Sequence, residues 1–206
     1  MRALSLEDSF KLLQKYKIPT AKNALCKNEK QLLAAAKKIG FPLAMKIVSP
    51  RILHKTDAGG IKLNICSKKD ALKAFAQLKK LPGFKGASVQ EMLSGRQIII
   101  GGKHDEQFGQ TILFGLGGIF VEIFKDISVR ICPITRADAK EMIAEIKGYA
   151  ILRGARGEKP INFKALEDIL LKTNALMLKE KILELDINPL FCFGNKIVAV
   201  DARVIK

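Results

Sequence analysis

The chain has 206 residues, 48% of them hydrophobic and 27% charged, and its 36 Lys and Arg against 20 Asp and Glu give a net charge of +16. That length can bury a sizeable core, as one domain of two lobes or two small domains, and no apolar run approaches the roughly 18 residues of a membrane span. The four cysteines, Cys26, Cys66, Cys132 and Cys192, stand far apart with no CxxC pair, which speaks against a disulfide framework and predicts reduced core residues.

The N-terminal segment MRALSLEDSF lacks the apolar core of a signal peptide, so a cytoplasmic protein is expected. Leu4 to Tyr16 has helical periodicity with Ser5 as its cap, and Pro19 ends it. A short strand over Thr20 to Cys26 follows. Asn28 then caps an alanine-rich helix over 29–39 that stops at Gly40. The apolar run Phe41 to Val48 predicts a buried strand over 43–48, and Gly60 to Cys66 a second. Ser67 and Asp70 open a helix over 68–81, and Ala87 to Met92 is the next strand. The first 90 residues thus read helix, then β-α-β-loop-β-α-β.

The second half changes character. Ile98–Gly102, Thr111–Phe114, Phe120–Phe124 and Ser128–Ile134 are short β runs with Gly-rich connections, which predicts an antiparallel sheet. Thr135 with Asp138 starts a helix through Ile146, and Asn162 caps a longer one to about Lys179. The chain closes as a hairpin, Ile182 to Asp186 and Lys196 to Asp201, with a turn region at Gly194-Asn195. Charge changes with pattern. Residues 1–90 hold 19 Lys and Arg against 5 Asp and Glu, whereas 91–206 come close to neutrality. Lobes of 1–90 and 91–206 are therefore expected. The basic lobe suggests phosphate-bearing or acidic partners, although most of its lysines lie at the spacing of a solvated helix face.

The chemistry concentrates in KIVSPRILHKTDAGGIK, Lys46 to Lys62. Gly59 and Gly60 allow close backbone approach to a phosphate and can form an anion nest. His54 can accept a proton, a metal or a phosphoryl group. Lys46, the only charge inside LAMKIV, must snorkel or meet an anion, whether phosphate or a structural partner. Glu91 in VQEML marks the lobe boundary, where a carboxylate and hinge backbone can hold an adenine amino group. Asn188 in LDINPL and Asp201 in AVDAR lie on the two arms of the terminal hairpin and can face each other as hard oxygen ligands for Mg²⁺. Arg130 in SVRIC can aim at a phosphate. Gly115-Leu-Gly-Gly118 is not a dinucleotide fingerprint, and neither a P-loop nor a Gly-x-Ser-x-Gly elbow is present.

Taken in order, KIVSPRILHKTDAGGIKL, VQEML, FGLGGIFVEIFKDISVRICPI, LDINPL and VDAR resemble the β subunit of ADP-forming acyl-CoA synthetases, ATP-grasp proteins related to succinyl-CoA synthetase. The resemblance runs from about Ser5 to Val204. It implies an α+β ATP-grasp fold with ATP or ADP between two lobes, and a separate CoA-binding α subunit as partner, with neither nucleic acid nor membrane as a target. By motif position it implies Lys46 as the phosphate lysine, Gly59-Gly60 as the glycine loop, Glu91 with the Met92-Leu93 backbone as the adenine hinge, and Asn188 with Asp201 as the Mg²⁺ ligands. His54 falls at the phosphorylated histidine, with Asp57 placed to orient it and Arg130 to neutralise phosphate charge. Gln97 departs from the family pattern, which has Glu there for a ribose hydroxyl; an acceptor is kept and a charge is lost. A basic module binding nucleic acid or an acidic protein is the alternative, against which stand the absence of Trp and of any aromatic–basic run.

Overall fold

The computed structural model describes residues 1–52, 56–118, 125–154 and 158–206. These form two compact units, Ala21–Leu93 and Met1–Thr20 together with Ser94–Lys206. The division near residue 93 lies close to the boundary read from charge. Residues 1–20, however, belong with the C-terminal unit, which corrects the expected lobe of 1–90. The cause is long-range. Arg2 and Leu4 donate to the carbonyls of Lys206 and Val204 at 2.7 and 2.9 Å, and helix α1 (Leu6–Lys15) buries Phe10 and Leu13 in the larger unit's core. No local periodicity can report such an allegiance.

The smaller unit contains β1 (Asn23–Cys26), α2 (Glu29–Ile39), β2 (Leu43–Val48), β3 (Ile61–Ile65), α3 (Lys68–Lys79) and β4 (Gly86–Glu91). Its sheet is antiparallel in the order β1-β4-β2-β3. Asn28 and Ser67 cap α2 and α3 by accepting from the Gln31 and Asp70 amides, which satisfies donors that a helix start leaves open. One face of the sheet, with Met45, Ile47 and Val89, packs against Leu32, Phe75 and Leu78 of the helices. Burial of each such side chain contributes about 1.5–3 kcal/mol. On the opposite face, alternation along the strands leaves a buried polar row of Lys46, Ser88 and Gln90.

The larger unit adds β5 (Arg96–Asp105), β6 (Gly109–Leu116), β7 (Ile127–Ile131), α4 (Arg136–Glu145), α5 (Tyr149–Leu152), α6 (Phe163–Glu180), β8 (Glu184–Phe193), β9 (Lys196–Ala199) and β10 (Arg203–Ile205). The antiparallel sheet runs β10-β8-β5-β6-β7, with β9 beside β8. Helices α4 and α6 cover one face, where Ile98, Ile100, Phe114, Met142, Leu170 and Leu190 form the core. Thr135 and Asp138 make a reciprocal capping box at α4, and Asn162 caps α6 through the Ala165 amide. The terminal hairpin differs from expectation. β8 runs on through Pro189 to Phe193, and a third strand, β10, returns along it. The expected Phe120–Phe124 strand lies outside the described residues. Three cysteines are buried as expected, but Cys66, at the end of β3, is exposed.

At the end of α6, Glu180 gathers three donors from distant parts of the chain. Lys15 Nζ lies 2.6 Å away, Lys206 Nζ 2.8 Å and the Tyr16 hydroxyl 3.0 Å. These hydrogen bonds, the Lys15 bond first, hold the Glu180 carboxyl down to about 2. A depressed carboxylate stabilises the fold above its unfolded pKa, and that stability is lost as pH falls through its folded pKa. Glu180→Gln should therefore lower unfolding free energy at neutral pH by about 1 kcal/mol, a figure discounted for the exposure of both lysines. Denaturant titration should show the difference between the two proteins shrinking as pH drops from about 4.5 to about 2.

Candidate functional site

The face of the larger sheet opposite its helices carries the hard oxygens. Along β8, Glu184, Asp186 and Asn188 alternate with the buried Leu185 and Ile187. β9 pairs Ala199 with Leu190, and β10 pairs Arg203 with Asp186. Both ladders share one register, and extended into the gap between them it sets Asn188 opposite Asp201. The Val200 amide donating to the Pro189 carbonyl at 3.1 Å holds the gap together. Asp201 itself lies beyond β9, in the unpaired stretch before β10.

Asp186 is the acidic neighbour that sequence reading missed. It shares the Asn188 face through the i, i+2 spacing in LDIN, which was the signal available for it. Its carboxyl keeps solvent access, yet the protein mass around it, then the charges of Asp201 and Glu184, push its pKa upward against a smaller opposing effect of Arg203. Among the described residues no group of three His, Cys, Asp or Glu is arranged to hold a metal ion. An amide oxygen and a carboxylate beside a crowded second carboxylate nonetheless fit Mg²⁺, which takes one or two protein oxygens and completes its shell with phosphate and water.

A cavity of about 500 Å³ in the same unit is lined by Gln97, Gly117, Gly118, Leu116 and Ile151, with Arg96 and Glu158 at its wall. The Gln97 carbonyl accepts from the Gly117 amide at 2.8 Å, and a Cβ on Gly117 would stand 2.9 Å from Gln97 Cβ. Glycine is therefore required there by space. Arg96 is fixed across the wall by Glu158 at 2.7 and 3.0 Å.

In the smaller unit, Lys46 is 8% exposed, on the polar row opposite the helices. Gly59 has φ +65 in the turn Thr56–Gly59, a conformation that favours glycine. Its amide, however, donates to the Thr56 carbonyl at 3.0 Å, and the Gly60 carbonyl accepts from Ile47 at 2.8 Å. The expected nest of successive free N–H groups is thus reduced by one donor. Asp57 is exposed in the same turn, and His54 lies outside the described residues.

Two assignments change. One Glu91 carboxylate oxygen accepts from the Lys22 amide at 2.7 Å, and the Met92 amide donates to Pro42 at 3.0 Å. Both groups tie strands together, so an adenine hinge would rest on the remaining backbone near Leu93. Arg130 is bound to Glu145 by two hydrogen bonds, 2.9 and 2.6 Å, and Ser128 donates to the same carboxylate. The hydrogen bonds from Arg130, then Ser128, lower the Glu145 pKa. The fork fastens α4 to β7, which accounts for the charge in SVRIC without a phosphate.

Two α+β units with antiparallel sheets are the architecture of an ATP-grasp protein, and the ATP-grasp domain family matches residues 1–205. The acetate–CoA ligase (ADP-forming) I subunit beta of Pyrococcus furiosus is 46% identical over 99% of this chain and 92% of its own length. The Ca. Korarchaeum cryptofilum dinucleotide-forming acetyl-coenzyme A synthetase 1, solved with coenzyme A, Ca-AMPCP and HgCl+, is 38% identical, with a TM-score of 0.93 over 99% of this chain and 93% of that one. A second structure of that enzyme, with coenzyme A and Mg-AMPPCP and its phosphohistidine segment pointing towards the nucleotide-binding site, gives a TM-score of 0.88 at 36% identity over 98% and 92%. This chain belongs to the ATP-grasp family, within its branch of ADP-forming acetate–CoA ligase β subunits.

The acidic cluster makes a checkable statement about the metal-free chain. Because the Asp186 pKa is raised, its ionised form opposes folding at pH above its folded pKa, and that effect vanishes once pH falls below the unfolded carboxylate value. Asp186→Asn should raise Tm at pH 7 by about 1–2 °C without Mg²⁺. The gain should disappear near pH 3 and diminish when Mg²⁺ and ADP are present, as read by calorimetric scans.

Proposed function

We propose that this chain is the nucleotide-handling subunit of an ADP-forming acyl-CoA synthetase, exchanging acyl-CoA, ADP and phosphate for a carboxylic acid, CoA and ATP together with a CoA-binding partner subunit. The observation that carries this reading is 46% identity to a β subunit along 99% of the chain, with Asn188 on β8 and Asp201 between the two strands that pair with β8. The partner subunit is proposed because that relative is named as a subunit beta, and Mg²⁺ because a structural neighbour holds Mg-AMPPCP.

In this reading Asn188 and Asp201 hold Mg²⁺, and Lys46 takes the nucleotide phosphates. Mg²⁺ there would neutralise phosphate oxygens as charge develops in transfer. Lys46, kept from bulk water, adds a positive charge whose attraction to phosphate is stronger than the same ammonium would show in solvent. Gln97, on the cavity wall, offers a side-chain oxygen to a ribose hydroxyl as a neutral acceptor. The backbone near Leu93 takes the base. Arg130, paired with Glu145, is left out of the transfer.

His54 is assigned the relay. In the direction of ATP synthesis the phosphorus–nitrogen bond of a phosphohistidine, protonated on its other ring nitrogen, breaks as a terminal oxygen of ADP bonds to phosphorus; the bond's electron pair stays on the ring, which leaves neutral imidazole and ATP. Imidazole suits this because it is nucleophilic near neutral pH and its phosphorylated form remains reactive. Asp57, three residues on, is assigned to orient the ring through one nitrogen and leave the other to attack. This assignment rests on motif position and on the phosphohistidine segment of the structural neighbour.

Radiolabelled ATP incubated with the chain and its partner should leave acid-labile, base-stable label on this chain. His54→Ala should lose the label and slow the overall reaction by about 10³-fold or more, while calorimetry shows unchanged Mg·ADP affinity. A variant that turns over at the parent rate would remove His54 from the reaction.

A further inference from the structure

We propose that Asp126, a residue with no part in the phosphoryl chemistry above, is a positioning residue that sets the wall of the Gln97 cavity, and so governs nucleotide affinity. The proposal rests on the reading of that cavity as part of the nucleotide site. Asp126 is 7% exposed. Its two carboxylate oxygens each accept one backbone hydrogen bond, Oδ1 from Lys147 and Oδ2 from Gly148, both at 2.7 Å. A buried carboxylate is costly unless its oxygens are satisfied, and two short charge-assisted bonds from adjacent amides satisfy both.

The line from this carboxylate to the cavity is short. Gly148 receives the Asp126 bond through its amide, and its own carbonyl accepts from the Ile151 amide at 2.9 Å. Ile151 and Leu116 are apolar walls of the cavity that Gln97, Gly117 and Gly118 also line. Gly148 is seated directly on Leu116. A Cβ at Gly148 would lie 2.1 Å from Leu116 Cδ1 and 3.1 Å from Asp126 Oδ2. Its φ of −76 is open to any residue, so what Gly148 supplies is space and not backbone freedom. On its other side Asp126 meets β6, where a Cβ on Gly115 would stand 2.8 Å from the Asp126 carbonyl oxygen. One residue thus fixes β6 through its backbone and the start of α5 through its side chain, and both lead into the cavity wall.

The test uses the full chain and Mg·ADP. Asp126→Asn keeps shape but turns an NH₂ group toward a backbone donor, and Gly148→Ala unseats the same turn while leaving the carboxylate intact. Glu180→Gln, remote from the cavity, is the control for lost stability alone. Calorimetry should find Mg·ADP bound roughly tenfold more weakly by Asp126→Asn and by Gly148→Ala, with Glu180→Gln binding as the parent does. Amide hydrogen exchange over residues 147–152 should rise in the first two variants while α6 stays protected. Folded Asp126→Asn that binds within about twofold of the parent, or that leaves exchange over 147–152 unchanged, would overturn the proposal. If Asp126→Asn does not fold, Gly148→Ala decides on the same two readings. Failure of the parent chain to bind Mg·ADP would overturn the nucleotide reading beneath the proposal, whereas exchange would still read the seat itself.

Discussion

Strand β8 is the constraint on which the larger unit depends. It pairs along one edge with β5, and along the other with β9 and β10 in a single register broken only around residues 200–202. The alternation of a strand then does the sorting. Leu185 and Ile187 enter the core and Glu184, Asp186 and Asn188 are left exposed, while a register shift against β5 between Ile187 and Leu190 returns Leu190 to the core side. A slip of one residue would bury three polar side chains and expose the core set, so hydrophobic burial enforces the geometry of the oxygens. The gap between β9 and β10 leaves Asp201 outside the ladder, between the two strands that pair with β8. Stability and site therefore come from one interaction.

The fold was legible wherever the deciding chemistry is local. Ser5, Asn28, Ser67, Thr135 and Asn162 all cap the helices expected of them, because a cap is settled within three residues. The smaller unit's order of strands and helices followed from apolar runs and glycine stops. What escaped was set by distant partners. Residues 1–20 join the C-terminal unit through β10 and Glu180, far along the chain. β8 extends past the expected Asp186 because Pro189 is carried within a strand whose neighbour is interrupted at that point.

The site divides in the same way. Asn188 and Asp201 were placed on opposing arms from a hairpin pattern alone, and Lys46 stood out as the one charge in an apolar run. Arg130 stood out for the same reason, yet its partner is Glu145, fifteen residues away on a helix whose packing the sequence does not display. Glu91 likewise spends one oxygen on the Lys22 amide, across a strand pair. A charge in an apolar run shows that a partner must exist. It does not say whether that partner is a ligand or the protein itself, and for Arg130 it is the protein.

The most direct test of the account is whether a divalent cation and nucleotide meet on the β8 oxygens. Mn²⁺ can replace Mg²⁺ and be followed by electron paramagnetic resonance while ADP is titrated into the full chain. The account predicts that ADP brings Mn²⁺ onto the parent protein, and that Asp201→Ala weakens this retention by about tenfold or more while its melting transition stays cooperative. Equal Mn²⁺ retention by the parent and by folded Asp201→Ala would contradict it.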